Sequence, residues 1–227
     1  MRWMSWDRLP SFMKNRRVAP YYEILSRKRG SLLGKRAFDI VGSLLLILLL
    51  LLPMVVISIW VKADSSGPVF FRQERITQYG KTFRIYKFRT MVVDAEKLGA
   101  QVTGKEDPRI TRIGKKLRKA RLDELPQLFN IVTGDMSFVG TRPEVPRYVE
   151  KYTEEMYATL LLPAGVTSLA SIRFKDEDEM MEGSADPDNT YLTKVLPLKM
   201  EYNYESLREF GFWKDFAMLF KTLRAVL

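Results

Sequence analysis

Two adjacent acids, Asp123 and Glu124, occupy a setting suited to chemistry on phosphate. A basic stretch with Arg118 and Arg121 precedes them, and Pro126 follows at a position that fits the first turn of a helix. Helix N-termini offer free N–H groups and a favourable dipole to anions. A carboxylate among arginines should have a depressed pKa and stay ionised. Such a carboxylate can attack phosphorus or bind Mg²⁺, and the two acids could divide these roles.

The composition limits the catalytic groups and the metals that can act together with this pair. The 227 residues include no cysteine and no histidine, which excludes thiolate nucleophiles, disulfides and the commonest general base. Any metal should therefore be a hard cation on oxygen ligands, such as Mg²⁺. The formal net charge of +10 favours polyanionic partners, which include nucleic acid, anionic lipids and phosphorylated substrates. Adjacent acids are usually only solvated, so it is the neighbouring residues that favour a functional role for this pair.

Two further segments carry candidate phosphate ligands. Lys87 and Arg89 alternate along a predicted strand, so both should lie on one face and could bind a pyrophosphate. The alternative is an edge strand protected by charge. Thr141 and Arg142 follow a glycine and precede a proline, and they combine a hydroxyl with a bidentate donor. Each segment is unspecific when taken singly.

An uncharged run from Val41 to Val61, mostly leucine at its centre, is long enough to span a bilayer. Basic residues flank both of its ends, although a spanning helix should carry its excess of lysine and arginine on one side only. Pro53 lies near the middle and removes one helical hydrogen bond. The residues leave two geometries open, a re-entrant helix bent at Pro53 and a kinked spanning helix.

The remaining pattern predicts an α+β fold that is mainly helical, with a small β-hairpin and amphipathic surface helices. The hairpin should pair 69–74 with 82–89 around Tyr79-Gly80. Residues 1–34 form a basic N-terminal arm, either lying on a surface or disordered. Helices are expected over these segments: 94–98, 113–120, 127–132, 144–157, 192–210 and 213–227. The apolar stripe of the last helix, which includes Phe216 and Phe220, indicates core packing before membrane docking.

Taken in order, these motifs closely resemble the bacterial sugar transferase family, the monotopic polyprenyl-phosphate phosphoglycosyl transferases. The resemblance runs from about Lys35 to the C-terminus, and six motifs in the right order make it specific. The matching segments are Lys35-Arg36-Ala37-Phe38-Asp39, the leucine run with Pro53, Gly67-Pro68-Val69-Phe70-Phe71-Arg72-Gln73, Lys87-Phe88-Arg89-Thr90-Met91, Leu122-Asp123-Glu124-Leu125-Pro126-Gln127-Leu128-Phe129-Asn130 and Gly134-Asp135-Met136-Ser137-Phe138-Val139-Gly140-Thr141-Arg142-Pro143.

The resemblance implies a re-entrant membrane helix over 35–63 and a catalytic domain over 64–227, on the cytoplasmic face of a bacterial inner membrane. It implies that Asp123 is the nucleophile and that Glu124 helps to hold Mg²⁺. The implied substrates are a UDP-sugar and undecaprenyl phosphate, with UMP released and membrane lipids as further partners. Lys87, Arg89, Arg118, Thr141 and Arg142 become the expected phosphate ligands.

Departures from the family pattern leave the sugar and the downstream pathway open. Leu52 replaces a frequent serine before the proline, Thr77 replaces a usual glycine, and Ala164–Arg173 differs from many members. Two alternatives from other classes are a membrane-anchored nucleic-acid-binding protein and a non-catalytic scaffold for polysaccharide export. No nucleic-acid recognition motif is found, so we expect no nucleic-acid partner. The intact acid pair argues against the scaffold.

Overall fold

The computed structural model describes residues 3–95, 107–174, 180, 184 and 186–226. It confirms a mainly helical chain with a small hairpin. The helices are α1 (Ala19–Ser26), α2 (Arg29–Asp64), α3 (Arg112–Lys119), α4 (Gln127–Thr133), α5 (Pro146–Val149), α6 (Leu169–Arg173), α7 (Pro187–Thr190), α8 (Leu196–Arg208) and α9 (Phe212–Val226). The strands are β1 (Phe70–Ile76), β2 (Thr82–Phe88), β3 (Met136–Val139) and β4 (Ala164–Thr167). A π-helical turn, Tyr191–Val195, leads into α8.

The predicted hairpin is present. Strands β1 and β2 pair antiparallel from Phe70 opposite Phe88 to Ile76 opposite Thr82. Tyr79 in the connecting turn adopts a left-handed conformation with φ of 60°. The aromatic and β-branched residues of β2 place Phe83 and Ile85 in the core. The hairpin thereby brings the end of β2, with Lys87, to the interior of the protein.

A second sheet was not predicted from the sequence. Strands β3 and β4 pair in parallel, with Met136 opposite Ala164 and Val139 opposite Thr167. Strand β4 begins at Ala164, directly after Pro163. Each strand has only four residues, which is too short for a periodic signal, and each finds its partner far along the chain.

Helix α2 is one continuous helix of 36 residues, longer at its N-terminal end than the predicted 35–63, and it does not end at Pro53. Only 17% of its most apolar stretch is buried. Leu48, Leu49 and Leu52 are exposed to 74%, 73% and 73%. A helix that leaves so much leucine uncovered is not the core helix of a soluble domain, so α2 fits membrane association.

Both ends of α2 are bound to the same folded body. Near its beginning, Arg36 donates hydrogen bonds to the carbonyls of Ile131 and Val132 at the end of α4. At its end, the Asp64 carboxylate accepts a hydrogen bond of 2.8 Å from the Ile113 backbone N–H in the first turn of α3. The N-terminal and C-terminal ends of the membrane helix are thus held by neighbouring parts of one domain.

The N-terminal arm is folded over its described residues, which corrects the expectation of a surface-lying or disordered segment. Met13, Val18 and Leu25 have no exposed surface, and they pack in one cluster with Leu161 and Phe210. The arm contains several large apolar residues among its basic ones. Burial of these side chains stabilises the arm against the domain, although their irregular spacing hides this in the sequence.

The later helices were predicted with mixed success. The helix expected over 144–157 is only α5, because the chain leaves helical geometry after Glu150. The helix expected over 94–98 lies mostly outside the described residues. Helices α8 and α9 are confirmed. Phe216 packs edge-on against Phe38 of α2 at 5.4 Å, whereas Phe220 is 56% exposed, so only part of the apolar stripe of α9 joins the core.

Candidate active site

The acid pair lies in a short 3₁₀ turn, Leu122–Glu124, directly before α4 as predicted. Arg121 enters this turn with φ of 55°, a left-handed conformation that is uncommon for a residue with a side chain. The reversal directs Asp123 inward, where only 8% of it is exposed, and leaves the Arg121 side chain in solvent. Backbone strain of this kind concentrates at functional sites.

Glu124 is held by two cations. Its Oε1 accepts hydrogen bonds from Lys87 Nζ at 2.8 Å and from Arg142 Nη2 at 2.7 Å. Burial alone would raise the pKa of Glu124, but Arg142 and Lys87 outweigh it and hold that pKa well below its usual range. Glu124 is therefore ionised at neutral pH, and the structure brings two of the predicted phosphate ligands to it.

Asp123 is buried without a comparable partner. Within the described ranges, no other residue donates a hydrogen bond to its carboxylate. Burial raises the pKa of Asp123 above its usual value, Lys87 and Arg118 oppose the increase, and Glu124 adds to it. The predicted depressed pKa is wrong in direction, because desolvation outweighs the nearby cations and because Arg121, one of the expected partners, points to solvent.

Arg118 reaches the site from α3. Its Nε donates a hydrogen bond of 3.0 Å to Thr90 Oγ1, and its charge lowers the pKa of Asp123. Thr90 was not predicted to contribute, although it directly follows the basic end of β2. The structure thus assembles Lys87, Arg118 and Arg142 around the acid pair from three separate elements.

Arg89 has a different position from the one expected. Strand β2 ends at Phe88, so Arg89 does not continue the face of Lys87. Its guanidinium instead donates to the carbonyls of Ser65 at 2.8 Å and Pro68 at 2.7 Å, and also to that of Ser66. These contacts satisfy carbonyls around the C-terminal end of α2. A phosphate contact by Arg89 stays a prediction, whereas its observed bonds hold the membrane helix.

The loop that carries Thr141 and Arg142 is fixed by a close approach of two backbones. A Cβ on Gly140 would lie 2.6 Å from the Pro163 carbonyl oxygen, and one on Gly165 would lie 2.2 Å from the Gly140 nitrogen. Only glycine fits at both positions. The Thr141 carbonyl accepts a hydrogen bond from the Gly165 N–H at 2.9 Å. This bond fixes the backbone directly before Arg142.

A buried polar network supports the far side of this loop. Arg75 donates to the Pro143 carbonyl at 3.1 Å, and Tyr191 donates to Glu144 Oε1 at 2.5 Å. Lys199 lies 3.3 Å from the Tyr191 hydroxyl. Sequence reasoning missed these residues because they join distant segments of the chain, and no local spacing marks them.

Gln127, three residues after Glu124, is a second group that sequence reasoning passed over. It is 1% exposed, and its Nε2 has no hydrogen-bond partner among the described residues. A buried amide donor left unpaired costs about 1–3 kcal/mol. Such a group at the start of α4 is consistent with a site whose ligand completes it.

The acid pair presents oxygen donors of the kind that Mg²⁺ prefers. In the described part of the chain, no three acidic side chains are grouped so that they could hold a metal ion by themselves. Mg²⁺ usually takes one or two protein carboxylates and completes its shell with water and substrate phosphate. Both cations on Glu124 bind Oε1, and no described donor reaches Oε2. Asp123 and Glu124 Oε2 therefore form a donor set that fits Mg²⁺.

Comparisons with known proteins show the family to which the chain belongs. The profile of the bacterial sugar transferase family matches residues 30–227. A UDP-N-acetylgalactosamine-undecaprenyl-phosphate N-acetylgalactosaminephosphotransferase of Aeromonas hydrophila is 37% identical over 85% of the chain. An undecaprenyl-phosphate galactose phosphotransferase of Salmonella typhimurium is 35% identical over 88%. A UDP-glucose:undecaprenyl-phosphate glucose-1-phosphate transferase of Escherichia coli is 35% identical over 91%. The chain spans 43%, 42% and 42% of these relatives' lengths.

Proposed function

Since the chain belongs to the bacterial sugar transferase family, we propose that it transfers a sugar 1-phosphate from a UDP-sugar to undecaprenyl phosphate. The reaction releases UMP and is the first membrane step in the assembly of a polysaccharide or other glycoconjugate. The observation that carries the proposal is Asp123, a buried carboxylate without a hydrogen-bonding partner among the described residues, beside Glu124 and three cations. The three relatives named above act on three different sugars, so the sugar is not part of the proposal.

In the first step, the Asp123 carboxylate attacks the sugar-linked phosphorus. An O–P bond forms, the phosphoanhydride bond breaks, and its electron pair leaves on the oxygen of UMP. Poor solvation makes the carboxylate a stronger nucleophile than an exposed one, and it is the same burial that raises its pKa. Lys87, Arg118 and Arg142 are placed to offset the charge on the phosphoryl oxygens.

In the second step, an oxygen of undecaprenyl phosphate attacks the same phosphorus. The acyl-phosphate bond to Asp123 breaks, the carboxylate is regenerated, and the product is a lipid-linked diphosphosugar. Glu124 keeps Lys87 and Arg142 in place through both steps, because both cations bond to its Oε1. The Gln127 amide is a further donor for a phosphate or sugar oxygen.

Magnesium is proposed as the cofactor, held by Glu124 Oε2 and Asp123. When bound, Mg²⁺ neutralises charge on the diphosphate of the nucleotide-sugar. The fit rests on the oxygen donors described above, in a chain that has no histidine or cysteine to bind softer metals.

Helix α2 is proposed to be re-entrant, with both ends at the cytoplasmic face of the inner membrane and the protein monotopic. The support is that Arg36 and Asp64 are both bonded to the same domain, while the leucines between them are exposed. Placing these ends on opposite sides would draw part of the domain, such as the basic helix α3, through the bilayer at a large desolvation cost.

This topology can be measured with single cysteines, because the chain has none of its own. Cysteines near Arg36 and near Ser65 should both be protected from an impermeant maleimide in intact cells and react after permeabilisation. Reaction of one site alone before permeabilisation would mean that the helix spans the membrane.

The covalent mechanism is tested before any lipid acceptor is present. Enzyme mixed with a radiolabelled UDP-sugar should release about one UMP per site as a burst. The sugar label should then remain on the protein through a rapid acid quench and map to the peptide containing Asp123. If UMP appears only after lipid is added, and no peptide carries the label, the lipid phosphate attacks the nucleotide-sugar directly.

A further inference from the structure

A cavity remote from the acid pair lies between the beginning of α2 and the turn that joins α8 to α9. It has a volume of about 610 Å³, and its lining includes Lys28, Ser31, Gly34, Arg208, Phe212 and Lys214. None of the residues assigned above to phosphosugar transfer lines it. A Cβ on Gly30 would meet no atom within 4 Å, so the cavity reaches the backbone of the first turn of α2.

The charge of the cavity favours an anion. Three cations, Lys28, Arg208 and Lys214, line it with one carboxylate, that of Glu209. Lys214 pairs with Glu209 at 3.0 Å, and Arg208 lies 3.9 Å from Glu155, so Lys28 is the lining cation without a carboxylate partner among the described residues. Lys28 donates one hydrogen bond to the Phe210 carbonyl, and an ammonium has three N–H donors to offer. Residues from the first turns of α2 and α9 also line the cavity, and the free N–H groups of a helix's first turn add to the positive potential.

The surroundings of the cavity indicate that the anion carries apolar chains. Trp213 lines it and is 75% exposed, and Leu33, which directly precedes the lining residue Gly34, is 69% exposed. The next exposed leucine of α2 is Leu44, about three turns further along the same helix. Tryptophan beside basic residues is typical of the depth at which lipid headgroups meet acyl chains. A free phosphate would contact the cations but would leave the exposed Trp213 and Leu33 uncovered.

We infer that this cavity binds the headgroup of an anionic phospholipid, whose acyl chains run along the exposed face of α2. The lipid is neither the acceptor nor the product, and its site anchors the end of the membrane helix that lies farthest from Asp64. This inference rests on α2 lying in a bilayer, as the proposed function does, but not on phosphosugar transfer itself.

The experiment uses the full chain in neutral detergent. Dihexanoyl phosphatidylglycerol, added below its micellar concentration, should bind saturably and change the fluorescence of Trp213, whereas dihexanoyl phosphatidylcholine should bind at least tenfold more weakly. The fluorescence change should be lost in Trp213→Phe, which assigns the signal to Trp213. The test variant Lys28→Gln/Lys214→Gln should weaken phosphatidylglycerol binding by about tenfold or more, since each lysine near a lipid surface contributes roughly fivefold.

The matched control is Lys221→Gln/Arg224→Gln. It removes the same charge from exposed positions of α9, the helix that carries Lys214, outside the cavity, and should leave the affinity unchanged. Equal loss in both pairs would reduce the effect to general surface charge and overturn the inference. Equal binding of both lipids would overturn it as well, as would displacement of the lipid by inorganic phosphate at similar concentrations.

Two further measurements keep the outcome interpretable. Lys28 also bonds to Phe210, so thermal unfolding is compared, and the single variant Lys214→Gln, whose side chain is exposed, serves if the double variant is unstable. The UMP burst should be the same in the test variant and in wild type. A normal burst with lost lipid binding supports the inference, whereas a normal burst with normal lipid binding refutes it and leaves the proposed function standing.

Discussion

Two clusters of buried carboxylates in this protein differ in how completely they are bonded. The first joins α2 to β3 and α9. Lys35 donates to Asp215 Oδ2 and to the Val139 carbonyl, both at 2.7 Å. Asp39 accepts from the Ser137 hydroxyl at 3.0 Å and the Phe138 N–H at 3.1 Å. Lys35 and Asp39 are 3% and 1% exposed, and each is satisfied within the protein.

The second cluster is the acid pair. Glu124 is bonded through one oxygen only, and Asp123, at 8% exposure, accepts no hydrogen bond from another residue in the described ranges. A buried charge with all of its bonds made fixes the fold, whereas one left incomplete destabilises the fold and is available to a ligand. The comparison assigns the first cluster to structure and the second to chemistry, and the following substitutions test that division.

The largest difference is expected for Asp123→Asn. Turnover and the UMP burst should fall by at least ~10³-fold, as for loss of a nucleophile. Because the folded-state pKa of Asp123 is raised, its ionised form costs stability at neutral pH, and that cost disappears below the unfolded-state pKa. The nearly isosteric amide should therefore leave Tm unchanged or higher. A fall of several degrees in Tm would place Asp123 with the structural cluster.

Asp215→Asn should show the opposite pattern. It leaves the buried Lys35 ammonium without its carboxylate, so the free energy of unfolding should fall by about 3 kcal/mol. Activity per folded molecule should stay near wild type at low temperature. Glu205→Gln, which removes an exposed pair with Arg173, is the control and should cost less than ~1 kcal/mol. A large loss of kcat in Asp215→Asn without loss of stability would contradict the division.

Glu124→Gln should lower kcat by ~10²-fold, as for loss of a preorganised electrostatic group. Lys87 and Arg142 lose the charge that holds them, and one proposed Mg²⁺ ligand becomes neutral. Activity of the wild type should be abolished by EDTA and restored by Mg²⁺, and the variant should need more Mg²⁺ for half-maximal rate. Full wild-type activity in EDTA would remove the metal from the proposal.

Tyr191→Phe tests the support of the Arg142 loop. Loss of the hydroxyl that bonds Glu144 should cost about 1 kcal/mol, or roughly fivefold, in kcat/KM. Tyr148→Phe is the matched control, since Tyr148 stacks on Tyr191 but bonds to Asp188 instead. Equal effects of the two substitutions on kcat/KM would mean general packing rather than placement of Arg142.

The smallest effect is a displacement of the pH profile. Asp123 must be ionised to attack, and burial raises its pKa, so the acid limb of kcat/KM should lie above that of an ordinary aspartate. Lys87 lowers the pKa of Asp123, and its loss in Lys87→Gln should move the acid limb to higher pH. A limb that moves to lower pH, or does not move, would exclude Asp123 as the titrating group.

The sequence alone determined the features that depend on neighbouring residues. The hairpin around Tyr79-Gly80, the uncharged run of α2 and the place of Asp123-Glu124 before a helix follow from local pattern and turn chemistry. The order of motifs also indicated the family. These predictions succeed because alternation, charge and helix-start signals act within a few residues of one another.

Tertiary structure alone decided which cations serve the site and which serve the fold. Lys87 and Arg89 are two residues apart, yet one bonds to Glu124 and the other to the end of α2. Tertiary structure likewise decided the raised pKa of Asp123 and the pairing of β3 with β4. Burial and partner choice depend on segments far apart in the chain, and desolvation, which outweighs the nearby cations at Asp123, exists only once those segments have closed around it.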